Sequence, residues 1–252
     1  MPLVNQLWML HITFKSVFKK PETGYYLMKI IRKNDALINM DRSRRIVVNT
    51  TRAAWIQSPS KGVWRKPLER EAAESGQVTS IVRYEPNSIF NKHLHPNGEE
   101  IFVFEGVFED ELGRYPAGSY FRNPPGSSHA PRSSEGCLLL VKLNMFQVKD
   151  AEAVNINTET LSWLPGVVDG LSVKPLHSFK TEHTSLVRWE PGTKFQSHTH
   201  PGGEEIFVLE GVFEDEQGSY PKGSWLRNPP YSQHSPFSTN GCTILVKTGH
   251  IN

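Results

Sequence analysis

Two similar all-β domains in tandem are predicted by three features of the sequence. Residues 83–131 align without gaps on residues 188–236, and 32 of the 49 aligned positions are identical. Short apolar runs, such as residues 100–104 and 137–141, are bounded by Gly, Pro and Asn, as strands are. Prolines recur too often in each copy for an uninterrupted helix. Many short strands at regular spacing favour a sandwich or a barrel.

The first 40 residues differ from the repeated part. An apolar stretch over residues 7–14 precedes a group of lysines, whereas a secretory signal places its positive charges before its apolar core. We therefore expect no cleaved signal and a cytoplasmic protein. Residues 1–40 form an N-terminal extension that is either native or an artefact of an upstream start. Domains are predicted over residues 41–146 and 147–252.

Composition excludes several classes of protein. No apolar run reaches the roughly 18 residues that a membrane-spanning helix needs. Residues 1–45 hold nine Lys/Arg and three Asp/Glu, so the rest of the chain, with 19 basic and 23 acidic residues, is slightly acidic. Such a body lacks the basic footprint of a nucleic-acid-binding domain. Two cysteines in 252 residues exclude a disulfide scaffold and suit a reducing compartment.

One group of residues in each copy has the pattern of a metal site. In a strand, His93 and His95 share one face because side chains alternate with a period of two. Glu99 follows a Pro-Asn-Gly turn that would return it toward the pair, and His129 comes after a Pro-Pro-Gly turn. The second copy repeats the set at the same spacing as His198, His200, Glu204 and His234.

These eight residues predict one divalent metal ion in each copy. Three imidazole nitrogens and a carboxylate oxygen suit zinc, iron, manganese, nickel or copper. The alternative is a set of solvated surface histidines, and the identical spacing in both copies argues against it. No catalytic residue and no organic cofactor site is identified.

The two copies resemble the cupin signature, G-x5-H-x-H-x3,4-E-x6-G followed by G-x5-P-x-G-x2-H-x3-N. The first copy supplies His93, His95, Glu99, Gly106, Gly118, Pro124, Gly126 and His129, with Asn87 replacing the leading glycine. The second supplies Gly192, His198, His200, Glu204, Gly211, Gly223, Pro229 and His234, with Tyr231 replacing a glycine. The closing Asn is missing from both. The resemblance covers about residues 41–250 and implies a tandem cupin of two antiparallel β jelly-roll barrels, each with a metal inside.

Both copies also contain the segments Gly-Glu-Glu-Ile-Phe-Val, Glu-Gly-Val-Phe and Arg-Asn-Pro-Pro. In these segments the chain resembles the C-terminal cupin of ChrR-type anti-sigma factors. This resemblance implies a cytoplasmic bacterial protein with a zinc-type site, with iron, manganese and nickel as alternatives. Related cupins that cleave diketones or hydroxyketones with oxygen hold catalytic iron.

Two functions are therefore expected. The first is a sensing or regulatory module that holds a small molecule or an oxidant in the barrel. The alternative is a non-haem metal-dependent dioxygenase that acts on a small diketone or hydroxyketone. A protein partner is expected if the role is regulatory, and a homodimer stays open. Residues 1–40 contain no cysteine, so the His-x3-Cys-x2-Cys segment with which anti-sigma factors hold a sigma factor is absent there.

Four further interpretations concern the surroundings of the predicted ligands. Strand parity selects Glu99 rather than Glu100 as the ligand, which makes Glu100 and Glu205 groups at the rim or beside the ligands. Arg122-Asn123 and Arg227-Asn228 either brace the loops of His129 and His234 or are ordinary turn residues. The acidic run 109–111 is interpreted as a solvated hairpin, and a helical turn is predicted over residues 68–73. Cys137 and Cys242 are expected to be buried as small apolar residues.

Overall fold

A computed structural model of the protein describes residues 37–72 and 75–251, and both repeats lie in one compact unit. The first repeat contributes β1 (Ile46–Asn49), β2 (Ile56–Gln57), β3 (Val63–Arg70), β4 (Val78–Tyr84), β5 (Ser88–Ile89), β6 (His93–His95), β7 (Glu99–Glu109), β8 (Arg114–Pro116), β9 (Ser119–Asn123), β10 (Ser127–His129), β11 (Arg132–Ser133) and β12 (Cys137–Leu143). The second contributes β13 (Val154–Asn157), β14 (Leu164–Pro165), β15 (Leu171–Phe179), β16 (Glu182–Trp189), β17 (Thr193–Lys194), β18 (His198–His200), β19 (Glu204–Asp215), β20 (Gly218–Pro221), β21 (Ser224–Asn228), β22 (Ser232–His234), β23 (Phe237–Ser238) and β24 (Cys242–Thr248). A 3-10 turn at Thr158–Thr160 separates β13 from β14.

The strands form two equivalent antiparallel jelly rolls, which confirms the predicted fold. One sheet has the order β13-β9-β7-β12-β4-β3-β2, and the other has the order β1-β21-β19-β24-β16-β15-β14. Three short strands complete each sheet, and a separate pair, β6 with β10 or β18 with β22, carries most of the predicted ligands. Within residues 37–72 and 75–251, no helix has the length and hydropathy needed to cross a bilayer. The predicted extension over residues 1–40 lies almost wholly outside the described residues.

The two repeats exchange their first strands. β1 pairs with β21 of the second repeat, with Ile46 opposite Arg227, and β13 pairs with β9 of the first, with Val154 opposite Arg122. Each barrel therefore ends in a strand that the other repeat supplies. The domain limits predicted at 41–146 and 147–252 follow the sequence repeat, and hydrogen bonding crosses them in both directions.

The long strand of each repeat is buried on both faces. In β7, Ile101 and Val103 point into the core of the first barrel. Phe102 and Phe104 point the other way, into a core shared by both repeats, where Phe104 stacks on Phe207 with ring centroids 4.5 Å apart. Because consecutive side chains leave a strand on opposite faces, one strand serves both the barrel interior and the joint between the barrels.

Glycine is required at one point of each long strand. Gly106 has φ of +72°, and a Cβ there would lie 2.0 Å from the carbonyl oxygen of Gly136. The register between β7 and β12 shifts two residues earlier, at Phe104, as it does in a β-bulge. Gly211 in β19 repeats the arrangement, so the last glycine of the first cupin motif is explained by backbone geometry.

Two interpretations from the sequence are wrong. No helical turn occupies residues 68–72, the described part of the predicted stretch, because β3 continues to Arg70 and buries Leu68 completely in the shared core. Glu100 and Glu205 do not lie at a barrel rim, because both are buried at the joint between the repeats. The charge of the two residues favoured an exposed position, and the sequence did not show that both lie among apolar residues at the joint.

Buried ion pairs link the two repeats. Lys142 Nζ lies 2.5 Å from Glu205 of the other repeat, and Lys247 Nζ lies 2.6 Å from Glu100. Lys247 also lies 2.5 Å from Glu182, and Arg122 lies 2.8 Å from Asp150. A buried charge is costly unless it is paired, so these contacts tie the orientation of one barrel to that of the other.

The first prediction concerns this buried cluster. Lys247→Met should lower the free energy of unfolding by about 3 kcal/mol, because Glu100 and Glu182 would lose their nearest cation and keep only Arg122, at 3.7 and 3.6 Å. Lys92→Ala is the control: its side chain and that of its partner Glu111 are 65% and 41% exposed, and its loss should cost less than about 1 kcal/mol. Urea unfolding measures both, and equal losses would contradict the role given to the cluster.

A second prediction follows from the ionisation of the two glutamates. Burial alone would raise the pKa of Glu100 and of Glu205, but Lys247 and Lys142 respectively hold each pKa below its ordinary value of 4.5. A depressed pKa in the folded state contributes stability that is complete above the unfolded value and is lost as the pH falls toward the folded value. We expect unfolding free energy to drop below about pH 4.5, and Lys142→Met to flatten that drop.

Candidate metal centres

The first centre forms where β6, β7 and β10 meet. Antiparallel pairing of β6 with β10 places His129 opposite His93, and Glu99 begins β7 beside them. One potential ligand atom from each of His93, His95, Glu99 and His129 lies within 4.8 Å of the others. The structure thus brings together all four residues predicted from the spacing in the first copy.

Each imidazole of the first centre is held from behind. His93 Nδ1 lies 2.9 Å from the carbonyl oxygen of Asn91, His95 Nδ1 lies 3.3 Å from the hydroxyl of Ser127, and His129 Nδ1 lies 3.1 Å from Asp110 Oδ2. These contacts leave the Nε2 atoms available on the side of the cluster. Such outer hydrogen bonds fix the tautomer and orientation of metal-binding histidines.

The Nε2 atoms show that the residues fit a metal ion. Those of His95 and His129 are buried and have no hydrogen-bond partner, although each lies near a carboxylate oxygen of Glu99, at 3.6 and 3.3 Å. Buried polar atoms without partners are rare in folded proteins and indicate a place for a bound water or ion. A divalent cation between the three groups would satisfy all of them.

Burial and charge set the protonation of the ligands. Burial lowers the pKa of His95 below its ordinary value, against the opposing charge of Glu99, so this imidazole is neutral at neutral pH. Burial alone would lower the pKa of His129 too, but the hydrogen bond to Asp110 and the charge of Glu99 raise it. A metal ion therefore competes with a proton at His129 more than at His95.

The second centre is built in the same way by β18, β19 and β22. Nitrogen atoms of His198, His200 and His234 lie within 4.8 Å of one another. Glu204 lies slightly further out, with carboxylate oxygens 3.4 Å from His200 Nε2 and 3.4 Å from His234 Nε2. His198 Nδ1 is held by the carbonyl oxygen of Gln196 at 3.0 Å. The second predicted set is also brought together.

Asparagines hold the two glutamates in place. Asn123 Nδ2 donates to Glu99 at 3.0 Å, and Asn228 Nδ2 donates to Glu204 at 2.9 Å. Of the two residues expected to brace the ligand loop, the asparagine contacts a ligand. The arginine does not, because Arg122 points into the joint between the repeats, where it meets Asp150.

Sequence reasoning missed Asp110 and Asp215. The interpretation of the run 109–111 as a solvated hairpin is wrong at Asp110, which is 3% exposed and binds His129. Its counterpart Asp215 lies behind His234, with Oδ2 4.0 Å from the imidazole Nδ1. The signal was present in the sequence, because an Asp precedes the last histidine of each copy by 19 residues, the same separation both times.

A third cluster of potential metal ligands is neutralised by cationic side chains. Asp150, His177 and Glu182 also bring potential ligand atoms within 4.8 Å of one another. Arg122 lies 2.8 Å from Asp150, and Lys247 lies 2.5 Å from Glu182. These cations already neutralise the carboxylates, so the cluster belongs to the ion pairs of the joint.

The first centre opens into a cavity of about 650 Å³. His93, His95 and Glu99 form part of its wall. Most of the remaining wall is apolar, and includes Val63, Val82, Phe90, Ile101, Phe108, Leu139 and Val141. A cavity of this size and character is typical of a site for a small organic molecule.

Comparison with known proteins identifies the family. The model of the ChrR cupin-like domain matches the chain twice, over residues 43–147 and over residues 151–252. No curated protein sequence matches the chain.

Several solved structures share the fold. A Nostoc punctiforme protein, provisionally named a dioxygenase, superposes with a TM-score of 0.69 at 18% identity over 81% of this chain and 82% of its own. A Pseudomonas aeruginosa protein, provisionally named glyoxylate-induced, gives 0.67 at 18% identity over 93% and 96%. Oxalate decarboxylase of Bacillus subtilis, described with Mn(II) centres, gives 0.58 at 14% identity over 82% and 78%. At sequence identities this low, the similarity shows only that the fold is shared.

The third prediction is the metal content of each centre. The full chain should carry two equivalents of divalent metal, one for each set of ligands. His95→Ala and His200→Ala should each remove about one equivalent, because a site that loses one of four ligands loses most of its affinity. His183→Ala, an exposed histidine outside both sets, is the control. Elemental analysis after dialysis checks this, and a folded protein without metal would contradict it.

Proposed function

The chain belongs to the ChrR cupin-like family, and from that premise we propose that it is a metal-binding tandem cupin whose first barrel senses a small molecule. The observation that carries the proposal is the cavity of about 650 Å³ into which His93, His95 and Glu99 project. A divalent metal held there would act as a Lewis acid toward an oxygen atom of the ligand. Zinc is the metal we propose, with iron, manganese and nickel as alternatives.

The residues that line the cavity of the first barrel favour a small ligand that has both a polar group and an apolar part. Arg65 lies on the cavity wall, with its guanidinium carbon 6.0 Å from the centre of the Phe90 ring. The equivalent position of the second barrel is Val173, and Tyr84 of the cavity is replaced there by Trp189. A cation on the wall of the cavity that holds the metal ligands favours carboxylates and polarised carbonyl groups. We infer that ligand recognition belongs to the first barrel.

The protonation of the cavity wall favours binding over catalysis. Among the described wall residues outside the ligand set, the titratable groups are Arg65, Arg70, Glu71 and Tyr84. Burial raises the pKa of Tyr84 far above its ordinary value, so its phenol keeps its proton at neutral pH. The carboxylate of Glu71 accepts a hydrogen bond from the backbone N–H of Gln77. General acid–base catalysis works best with a pKa near the operating pH, and the phenol of Tyr84 does not supply one.

The cysteines do not support a thiol-based sensor. Cys137 and Cys242 are free and buried, and burial raises the pKa of each thiol to about 11. Oxidants react with the thiolate, which is scarce under these conditions. If the protein responds to an oxidant, we propose that the response occurs at the metal centre. We also propose that the protein is cytoplasmic and that a regulatory response would require a protein partner.

The alternative is a non-haem metal-dependent dioxygenase acting on a small diketone or hydroxyketone. Four protein ligands leave two positions open on a six-coordinate metal, and the cavity leaves room for a substrate beside it. A dioxygenase would consume oxygen only when both the metal and the substrate are present.

The fourth prediction separates the two functions. Pentane-2,4-dione and malonate are titrated into the metal-loaded full chain while dissolved oxygen is recorded. We expect one of them to bind without oxygen uptake, and Val82→Phe, which narrows the cavity, to weaken that binding about tenfold, or ~1.4 kcal/mol. Val187→Phe at the equivalent position of the second barrel is the control. Sustained metal-dependent oxygen uptake would favour the dioxygenase instead.

A further inference from the structure

The carboxylate behind the last histidine is arranged differently in the two centres. In the first, Asp110 Oδ2 lies 3.1 Å from His129 Nδ1, within hydrogen-bond distance. In the second, Asp215 Oδ2 lies 4.0 Å from His234 Nδ1, and this nitrogen is buried with no hydrogen-bond partner. The ligands are identical in the two copies, so the difference has to arise outside them.

Arg45 accounts for the displacement of Asp215. Its guanidinium lies 2.6 Å from Asp215 Oδ2 and donates to the hydroxyl of Tyr220 at 2.8 Å. The other carboxylate oxygen accepts from the backbone N–H of Gln217 at 2.8 Å and from Tyr220 at 2.9 Å. Both oxygens of Asp215 are therefore engaged with groups other than His234, and the Asp215 side chain is fully buried among them.

The strand exchange explains why only one centre has this cation. Arg45 immediately precedes β1, which the first repeat lends to the second barrel. The equivalent residue before β13 is Ala153, which is exposed and has no charge to offer. Asp110 consequently bonds to His129 without competition from that position.

We propose that Arg45 sets the second centre apart from the first by drawing Asp215 away from His234, so that the second centre binds divalent metal more weakly and exchanges it more readily. The proposal rests on the metal-binding function proposed above. It makes Arg45 a positioning residue that acts on a centre of the other repeat.

Two physical effects act in this direction. A carboxylate that accepts a hydrogen bond from a metal-binding imidazole orients the ring and makes its other nitrogen more basic, and losing such a partner typically costs about 10- to 100-fold in metal affinity. A guanidinium close to the centre also repels a divalent cation.

A second contact to a ligand histidine is also present in the first centre and missing from the second. The hydroxyl of Ser127 lies 3.3 Å from His95 Nδ1 in the first centre. Its counterpart Ser232 has a buried hydroxyl with no hydrogen-bond partner. The outer support of the second centre is therefore weaker at two of the three histidines.

The experiment measures each centre alone by zinc competition against a chromophoric chelator. His200→Ala leaves the first centre and His95→Ala leaves the second, and the first should bind zinc about 10- to 100-fold more tightly. In the His95→Ala background, Arg45→Met should tighten zinc binding about tenfold, because Asp215 can then reach His234, whereas Arg45→Lys should tighten it less. In the His200→Ala background, Ala153→Arg should weaken the first centre.

Two controls separate this effect from loss of structure. Asp110→Asn should weaken the first centre strongly, while Asp215→Asn should change the second little. Thermal unfolding of each variant without metal shows whether it is folded. Equal zinc affinities in the two single-centre variants, or no change on Arg45→Met in a folded protein, would overturn the inference while metal binding stands. Absence of zinc binding by the unsubstituted chain would overturn the proposed function and this inference with it.

Discussion

Burial of both faces of β7 and β19 is the constraint on which the molecule depends. The inward face of β7 begins with Glu99 and continues through the barrel core, while the outward face begins with Glu100 and continues through Phe102 into the shared core. Because the side-chain period is two, a shift of one residue would exchange these faces and place the ligand in the joint. The bulge at Phe104 and the glycine at position 106 belong to this register, since no other residue fits at position 106 against the carbonyl oxygen of Gly136.

The joint between the barrels combines apolar stacking with buried charge. Stacking of Phe104 on Phe207 stabilises the joint but tolerates sliding. The pairs Lys142–Glu205 and Lys247–Glu100 do not tolerate it, since each buried glutamate lies 2.5 or 2.6 Å from the lysine of the other repeat only in one relative position of the repeats. Buried ion pairs add little net stability compared with apolar packing, and their effect here is to select one arrangement. That arrangement also fixes the exchanged strands β1 and β13.

The repeat and both sets of ligands could be predicted from local spacing, because the period of a strand sets His93 and His95 on one face. The spacing of the strands predicted only a sandwich or a barrel, and the jelly rolls followed from the resemblance to the cupin signature. The contacts that distinguish the centres were not accessible in this way. Arg45 meets Asp215 only because β1 crosses to the other barrel, which no local pattern reveals. Glu100 was misplaced for the same reason, since its partner Lys247 lies in the other repeat.

Duplication normally yields two equivalent sites, and strand exchange provides a way to make them unequal without altering a ligand. The residue that precedes the exchanged strand enters the neighbouring barrel, so a substitution in one repeat acts on the metal centre of the other. Arg45 and Ala153 occupy equivalent positions but face different barrels. In the division of roles that we propose, the better supported centre lies beside the cavity of the first barrel and binds the ligand, and the less supported centre of the second barrel exchanges metal. The second centre would then depend on a residue of the first repeat for its chemistry, while both barrels depend on the exchanged strands for their structure.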